Sequence, residues 1–330
     1  MKQFVIICLL MVTMSANAQE KSSVFSAVWW NVENLFDTRD DPETEDDDFT
    51  PDGSYHWTRR KLQAKIQGIA KTLVMADLPD VVGLGEVENK YVLRELCNGT
   101  PLQRASYRYV HHDSPDRRGI DVALIYRQDR FRVLRDSVVN VSDSAAGFFT
   151  RDMLVVEGVT AAGDTVCLVL NHWPSKRGGE EAEARRVAIA GRLRSVMNDL
   201  KERHPGCAVI AMGDMNSGVD EAPMAVGMGF GGDSVNAEGM RNLTWRLPRD
   251  WGSHKFQGQW DYIDQVLLLA GEGWLVGDLK LLRYDHLLTG EKNKPGVRPR
   301  RTNQGPRYEG GLSDHLPLRL RLKREVIGEK

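Results

Sequence analysis

Ala208-Val209-Ile210-Ala211-Met212 runs directly into Gly213-Asp214-Met215-Asn216. A short apolar run closed by a glycine and an acid reads as a strand ending in a polar turn. The same construction recurs along the chain. Val24–Trp30 leads to Asn31 and Glu33, Val81–Leu84 leads through Gly85 to Glu86, and Thr165–Leu170 leads to Asn171 and His172. Elsewhere the order is reversed. Asp121 precedes Val122–Tyr126, Asp264 precedes Val266–Leu269, and Asp314-His315 precedes Leu316–Leu322, where leucine alternates with Pro or Arg. Leu154–Val156 is a further strand of the same kind. In an antiparallel sheet the ends of some strands lie beside the starts of others, so all seven polar segments can meet on one rim. A single Asp or Asn beside a strand is ordinarily a turn residue. Seven such segments, each of metal-ligand or acid–base type, point instead to a site.

Two stretches carry helical spacing. Leu62, Ile66, Ile69 and Leu73 recur within Arg59–Met75, with Thr58 as N-cap, and Val187, Ala190, Leu193, Met197 and Leu200 recur within Glu180–Arg203. There is no internal repeat and no linker long enough to mark a domain boundary. Many strands and few helices predict two layered sheets with helices outside. The 330 residues are 41% hydrophobic and 27% charged, an ordinary globular mix that excludes disordered and coiled-coil classes. With 44 basic against 46 acidic residues the net charge is −2, which argues against a protein that coats DNA through clustered cations.

Lys2, the apolar run Phe4–Val12 and Ala16-Asn17-Ala18 form a secretory signal pattern, predicting cleavage near Ala18. The run is too short to span a bilayer. An exported, periplasmic or secreted protein comprising residues 19–330 as one domain is expected, monomeric and without stable membrane insertion. Cys97, Cys167 and Cys207 then remain, enough for one disulfide, and Cys167 within Val166–Leu170 reads as a core residue. The acidic run Asp40–Asp48 reads as solvated surface rather than a calcium loop. Gly227–Gly232 lacks the strand-to-helix context of a phosphate cradle. Lys292–Arg307, with Arg298, Arg300, Arg301 and Arg307, is the most basic loop and is a candidate for contact with an anionic substrate. His111 and His112 read as surface histidines.

The residue types at the rim define its chemistry. Oxygen ligands such as Glu86, Asp314 and Asn31 suit a hard ion, Mg²⁺ or Mn²⁺, rather than zinc. Such an ion neutralises phosphate charge and stabilises a leaving oxygen. His172 and His315 suit proton transfer or phosphate contact near neutral pH, with Asp121 and Asp264 available to fix their tautomers.

Trp29-Trp30-Asn31-Val32-Glu33-Asn34, Gly85-Glu86, Asn171-His172-Trp173-Pro174, Gly213-Asp214-Met215-Asn216 and Leu312-Ser313-Asp314-His315 stand in order across nearly the whole mature chain. Together they resemble the endonuclease/exonuclease/phosphatase superfamily, especially its deoxyribonuclease-like branch. The resemblance implies a four-layered α/β sandwich, two mainly antiparallel or mixed sheets packed face to face with helices outside. It implies hydrolysis of phosphodiester bonds by water with Mg²⁺ or Mn²⁺, with a nuclease as the leading reading and a phosphatase or a phospholipid or small-molecule phosphoesterase as the alternative. A non-catalytic binding protein is the third reading. The resemblance makes Glu86 the central metal ligand, with Asn31, Asp314 and Glu33 around it. It gives Asp214 the water, and places Asn216, Asn31, Asn171 and Arg151 by the phosphate. His315 is then oriented by Asp264 and His172 is paired with Asp121. Asp261 lies close by in Trp260–Gln265, and Asp264 is preferred because the apolar run after it has the family's register.

Overall fold

The computed structural model describes residues 24–291 and 295–325. The expected signal peptide, residues 1–18, lies outside the described residues. In chain order the strands are β1 (Val24–Leu35), β2 (Val81–Val87), β3 (Tyr107–His111), β4 (Asp121–Arg127), β5 (Phe131–Val139), β6 (Met153–Thr160), β7 (Thr165–His172), β8 (Ala208–Asp214), β9 (Arg241–Asn242), β10 (His254–Phe256), β11 (Gln259–Asp261), β12 (Asp264–Ala270) and β13 (Trp274–Leu281). Short ribbons β14 (Leu288–Gly290), β15 (Val297–Pro299), β16 (Asn303–Gln304) and β17 (Arg307–Tyr308) precede β18 (Leu318–Arg324). The helices are α1 (Arg59–Met75), α2 (Lys90–Asn98) and α3 (Gly179–Arg203).

Two six-stranded sheets carry the fold, in the orders β13-β18-β1-β2-β4-β3 and β5-β6-β7-β8-β12-β9. β1–β2 and β7–β8 are parallel and the other neighbours antiparallel, so both sheets are mixed as the sequence implies. Strand alternation distributes the apolar residues into layers. Trp29, Leu168, Leu170, Ile210, Met212 and Leu320 fill the space between the sheets. Trp30, Leu84 and Val82 face outward under α1 and α2, while Val169, Val209 and Ala211 face outward under α3. The result is the four-layered sandwich.

Two glycines let these layers close. A Cβ on Gly83 would stand 2.8 Å from Leu170 Cδ2 and 2.9 Å from the Trp29 ring, so the indole lies directly on β2. A Cβ on Gly213 would meet Asn171 O at 2.4 Å, so β7 and β8 approach only because the residue before Asp214 has no side chain.

The register then brings the polar ends together. His172 and Asp264 both pair with Asp214, Asn31 pairs with Gly85, and Asp121 pairs with Val87. The expected strands are found, some longer than predicted, and β18 begins at Leu318 rather than Leu316. Among the described residues no helix is long and apolar enough to cross a membrane.

Candidate active site

Asp264 opens β12 and is completely buried. Its Oδ2 lies 2.6 Å from His315 Nδ1, and its Oδ1 accepts a hydrogen bond from Trp29 Nε1 at 2.7 Å. The backbone of His315 is fixed as well. Its N–H donates to Ser313 Oγ, Ser313 Oγ donates to Asn31 O, and its carbonyl accepts from Trp30 Nε1. The adjacent tryptophans point to opposite faces, and each locks one part of the same histidine. Burial works against the imidazolium, but Asp264, Asp214 and Asp314 outweigh it and hold His315 well above its ordinary value. Asp261 takes no part: its half-exposed carboxylate lies 3.6 Å from Lys176 Nζ.

Asp214 is the next carboxylate along the rim. Its Oδ2 accepts from Asn31 Nδ2 at 3.0 Å and its Oδ1 accepts from Asn216 N at 2.9 Å. The same Oδ2 lies 3.7 Å from His315 Nε2 and 3.6 Å from His172 Nε2. Burial pushes Asp214 up to about 7 despite the pull of His315. Asn31 also donates to Glu86 Oε1 at 3.1 Å, so one amide spaces two carboxylates. Its own Oδ1 accepts from Glu33 N. Glu86 Oε2 accepts from Asn34 N at 2.8 Å. Glu33, Asn34, Glu86 and Asn216 all adopt left-handed backbone, with φ of 49°, 54°, 61° and 44°. Non-glycine residues rarely take this conformation, and its concentration here marks the place where β1, β2 and the turn after β8 leave regular geometry to aim side chains. The ladder slips at the same points, between Asn31 and Leu35 and between Gly85 and Val87.

Glu86, beside Asn31, and Asp314 both act on the charge of Arg301, and their oxygens are of the kind that fits a hard divalent cation. Glu33 is less available than the resemblance implies. Its Oε1 accepts from Arg301 Nε at 3.0 Å and its Oε2 from Thr302 N at 2.8 Å. Burial, reinforced by Asp314, pushes it up to about 7. Arg301 Nη2 also lies 2.8 Å from Asp314 Oδ2, so one guanidinium bridges both acids. Beneath them Lys65 is buried, donates to Glu33 O and Thr302 Oγ1, and is pushed down by burial to about 8.

Three expected placements are not met. His172 and Asp121 do not pair: Asp121 accepts from Ser114 N at 3.0 Å and from Ser114 Oγ, and lies 3.1 Å from His111 Nε2. His172 Nδ1 is buried without a hydrogen-bond partner. Burial, with Arg151 and Arg118 nearby, holds His172 well below its ordinary value, as a neutral ring. Asn171 sits one residue out of phase with His172 and so faces the α3 side. It donates to Val169 O at 3.0 Å and accepts from Trp173 Nε1 at 3.2 Å, so its amide is engaged within β7 and the turn after it. Arg151 is likewise occupied, donating to Asp116 Oδ2 at 2.9 Å and Trp173 O at 2.6 Å. Trp173 O also accepts from Asn216 Nδ2, so Arg151 steadies Asn216 through that carbonyl. His111 is buried rather than exposed, and within the acidic run so is Asp46.

His254, unremarked in the sequence, lies 4.9 Å from the His315 ring at a tilt of 39°, and its Nε2 is 3.9 Å from Asp314 Oδ2. Burial and the His315 charge push it down to about 4. The sequence signal was slight: one histidine entering the β10–β11 hairpin.

The profile of the Endonuclease/Exonuclease/phosphatase family matches residues 26–324. The chain belongs to this family. No curated protein matches it. Among solved structures it is similar to an endonuclease/exonuclease/phosphatase family protein from Bacteroides thetaiotaomicron, at 15% identity and TM-score 0.60 over 93% of this chain and 97% of that one. It is similar to D. rerio TDP2 complexed with single-strand DNA product, at 18% identity and TM-score 0.58 over 91% and 99%. It is also similar to the Bacteroides thetaiotaomicron mannosyl-6-phosphatase Bt3783, at 15% identity and TM-score 0.57 over 90% and 99%. These likenesses establish the same fold. Members of the endonuclease/exonuclease/phosphatase family are divalent-metal-dependent phosphoester hydrolases, and the chain is an enzyme of that class.

Proposed function

We propose that this enzyme is an exported phosphodiesterase of nuclease type that uses Mg²⁺ or Mn²⁺. One observation carries the catalytic part: Trp29, Asp264, His315, Asp214, Asn31 and Glu86 form a continuous chain of polar contacts across the rim. Glu86 and Asp314, with Asn31 between the strands, would hold the metal, which when bound neutralises phosphate charge and stabilises the leaving oxygen. Asp214, fixed by Asn31 and Asn216, orients a water and takes its proton. His315, cationic and held by Asp264, sits beside it to bind a phosphate oxygen. His172, kept neutral, offers Nε2 on the other side of Asp214. Asn216 keeps one amide hydrogen free for phosphate after giving the other to Trp173 O. Export rests on the N-terminal pattern, and a monomer is the expected state.

A monoesterase is the second reading, and Arg301 is the observation that favours it. Its guanidinium remains half exposed at the rim, and a terminal phosphate carries the extra charge that such a cation recognises. Residues 19–330 are to be assayed on plasmid DNA, bis-p-nitrophenyl phosphate and p-nitrophenyl phosphate with Mg²⁺, Mn²⁺ or EDTA. Metal-dependent cleavage of DNA and the diester supports the proposal. Turnover of the monoester alone, with KM raised about tenfold or more in Arg301→Gln, replaces it with the second reading. Silence on all three refutes both. A precursor retained whole in the cytoplasm of its host refutes export.

A further inference from the structure

The strand ends opposite the rim carry a second cluster. Cys167 on β7 faces the α3 side, Cys207 immediately precedes β8, and their buried sulfurs are 4.0 Å apart. Glu157 on β6 is the direct cross-strand partner of Cys167. His204 follows the last residue of α3 and places Nε2 2.7 Å from Glu157 Oε2. One ligand atom each from Glu157, Cys167 and His204 lie within 4.8 Å of one another, and Cys207 joins them through Cys167 alone, so its side chain must turn inward to complete a fourth position. Arg203 Nη1 donates to Glu157 Oε1 at 3.0 Å and Oε2 at 3.2 Å, and Lys201 Nζ donates to Cys207 O at 3.4 Å. The cluster is remote from the rim: Cys167 and His172 are five strand residues apart, about 17 Å.

Two thiols this close invite a disulfide, but the register opposes one. Cys167 stands opposite Val209, so Cys207 is two positions back along the neighbouring strand. With a strand spacing of about 4.8 Å and a rise of about 3.3 Å per residue, their Cα atoms are about 8 Å apart. A disulfide does not span more than about 7 Å. A metal ion makes a different demand. Two zinc–thiolate bonds of about 2.3 Å at a tetrahedral angle separate the sulfurs by about 3.8 Å, close to the 4.0 Å present.

We propose that Cys167, Cys207, His204 and Glu157 form a structural zinc site that ties β6, β7 and β8 to the C-terminal end of α3. On binding, each thiol releases its proton and becomes a thiolate ligand. His204 presents the lone pair of Nε2, with its ring proton on Nδ1, and the ion takes the place of the proton between Nε2 and Glu157 Oε2. Two thiolates and a carboxylate against Zn²⁺ leave one net negative charge, and Arg203 on Glu157 faces it. Sulfur and nitrogen ligands select zinc over the Mg²⁺ or Mn²⁺ suited to the oxygen ligands of the rim.

The test is titration of the full, reduced chain with Co²⁺, followed by displacement with Zn²⁺. Cobalt at the rim meets only oxygen and nitrogen, so a thiolate-to-cobalt charge-transfer band reports this cluster alone. One equivalent is expected to give the band and Zn²⁺ to abolish it. Bound zinc is also expected to shield Cys167 and Cys207 from alkylation. Cys207→Ser is expected to remove the band and Cys97→Ser to leave it. His204→Ala alters a partly exposed residue outside the core; it is expected to weaken binding about 10- to 100-fold and leave hydrolysis at saturating rim metal unchanged. A folded, reduced protein without the band overturns the proposal. So does a band that survives Cys207→Ser, or a Cys167–Cys207 disulfide in non-reduced digests.

Discussion

Asp264→Asn isolates the link on which the rim chemistry turns. Asp264 has two acceptor oxygens and uses both, Oδ1 for Trp29 Nε1 at 2.7 Å and Oδ2 for His315 Nδ1 at 2.6 Å. An asparagine supplies one acceptor and one NH₂ group. If its oxygen stays with Trp29, the NH₂ meets His315 Nδ1 and forces the ring into the neutral tautomer with its proton on Nε2. If the oxygen stays with His315, the indole N–H is buried against a donor, which costs about 1–3 kcal/mol. Either way His315 loses the neighbouring charge that holds it cationic. The analogous loss of an orienting carboxylate elsewhere costs up to about 10⁴ in rate, and acid–base groups span about 10²–10⁴. We therefore expect kcat/KM on bis-p-nitrophenyl phosphate to fall about 10²–10⁴-fold, or ~3–5.5 kcal/mol of transition-state stabilisation. Unchanged far-UV circular dichroism and a cooperative melt would show the loss to be chemical. Two companions sharpen the test. Asp261→Asn breaks only a half-exposed contact and should keep activity within about threefold. Asp121→Asn disturbs Ser114 and His111 but not His172, so it should lower Tm and spare the rate. If Asp264→Asn stays within about tenfold of wild type while His315→Ala is crippled, or if Asp121→Asn matches Asp264→Asn, the pairing argument is wrong.

Asp214→Asn should abolish measurable turnover while calorimetry finds metal affinity within a few-fold of wild type; normal turnover would remove Asp214 from the water. Asn171→Leu should act on stability alone. It unpairs Val169 O and the Trp173 indole, a loss of about 1–3 kcal/mol in chemical denaturation, with kcat nearly unchanged; a kcat loss as large as that of Asn216→Ala would return Asn171 to the phosphate. Lys176→Met probes an ion pair at the edge of the site. Burial raises Glu221, but Lys176 Nζ at 2.6 Å outweighs it and holds the acid below its ordinary 4.5. A depressed folded-state value stabilises above the unfolded value and is lost as pH falls through the folded one. The Tm difference between wild type and Lys176→Met should thus be present at pH 7 and vanish near pH 3; a constant difference would show that the ion pair is not its source.

The sequence makes the strand ends legible because residue type and strand boundary coincide there. Gly213-Asp214 and Gly85-Glu86 carry the acid and the glycine that permits close packing in adjacent positions, so the local pattern and the tertiary demand agree. The polar partners are another matter. Arg301 reaches Glu33 across 268 residues and Lys65 reaches Thr302 across 237, and no local pattern encodes such contacts. The basic loop was visible as a charge run, but not the single guanidinium that turns inward. Helix α2 escaped notice because nine residues give few periods to count, although Asn89 caps it by accepting from Tyr91 N and Val92 N. Errors of parity account for Asn171: the motif names Asn and His together, but strand alternation sends neighbours to opposite faces, and only His172 can face Asp214.

The same parity argument settles the choice between Asp261 and Asp264 on physical grounds. Cross-strand pairing decides which of the two carboxylates stands beside Asp214. Asp264 is paired with Asp214 across β12 and β8. Asp261 ends the β10–β11 hairpin and pairs with His254 instead. That hairpin is still part of the site's architecture, because His254 bridges to His315 and rests its ring against it. His315 is therefore confined on every side: Asp264 fixes Nδ1, Trp30 and Ser313 fix its backbone, and His254 covers its face. Nε2 is the atom left to act, 3.7 Å from Asp214 Oδ2 and 3.8 Å from Asp314 Oδ1. The fixed ring thus stands between two carboxylates, and its charge faces both of them. Held there, one cation links the acid proposed to orient water with the acid proposed to hold the ion, so a loss at Asp264 would be felt at both.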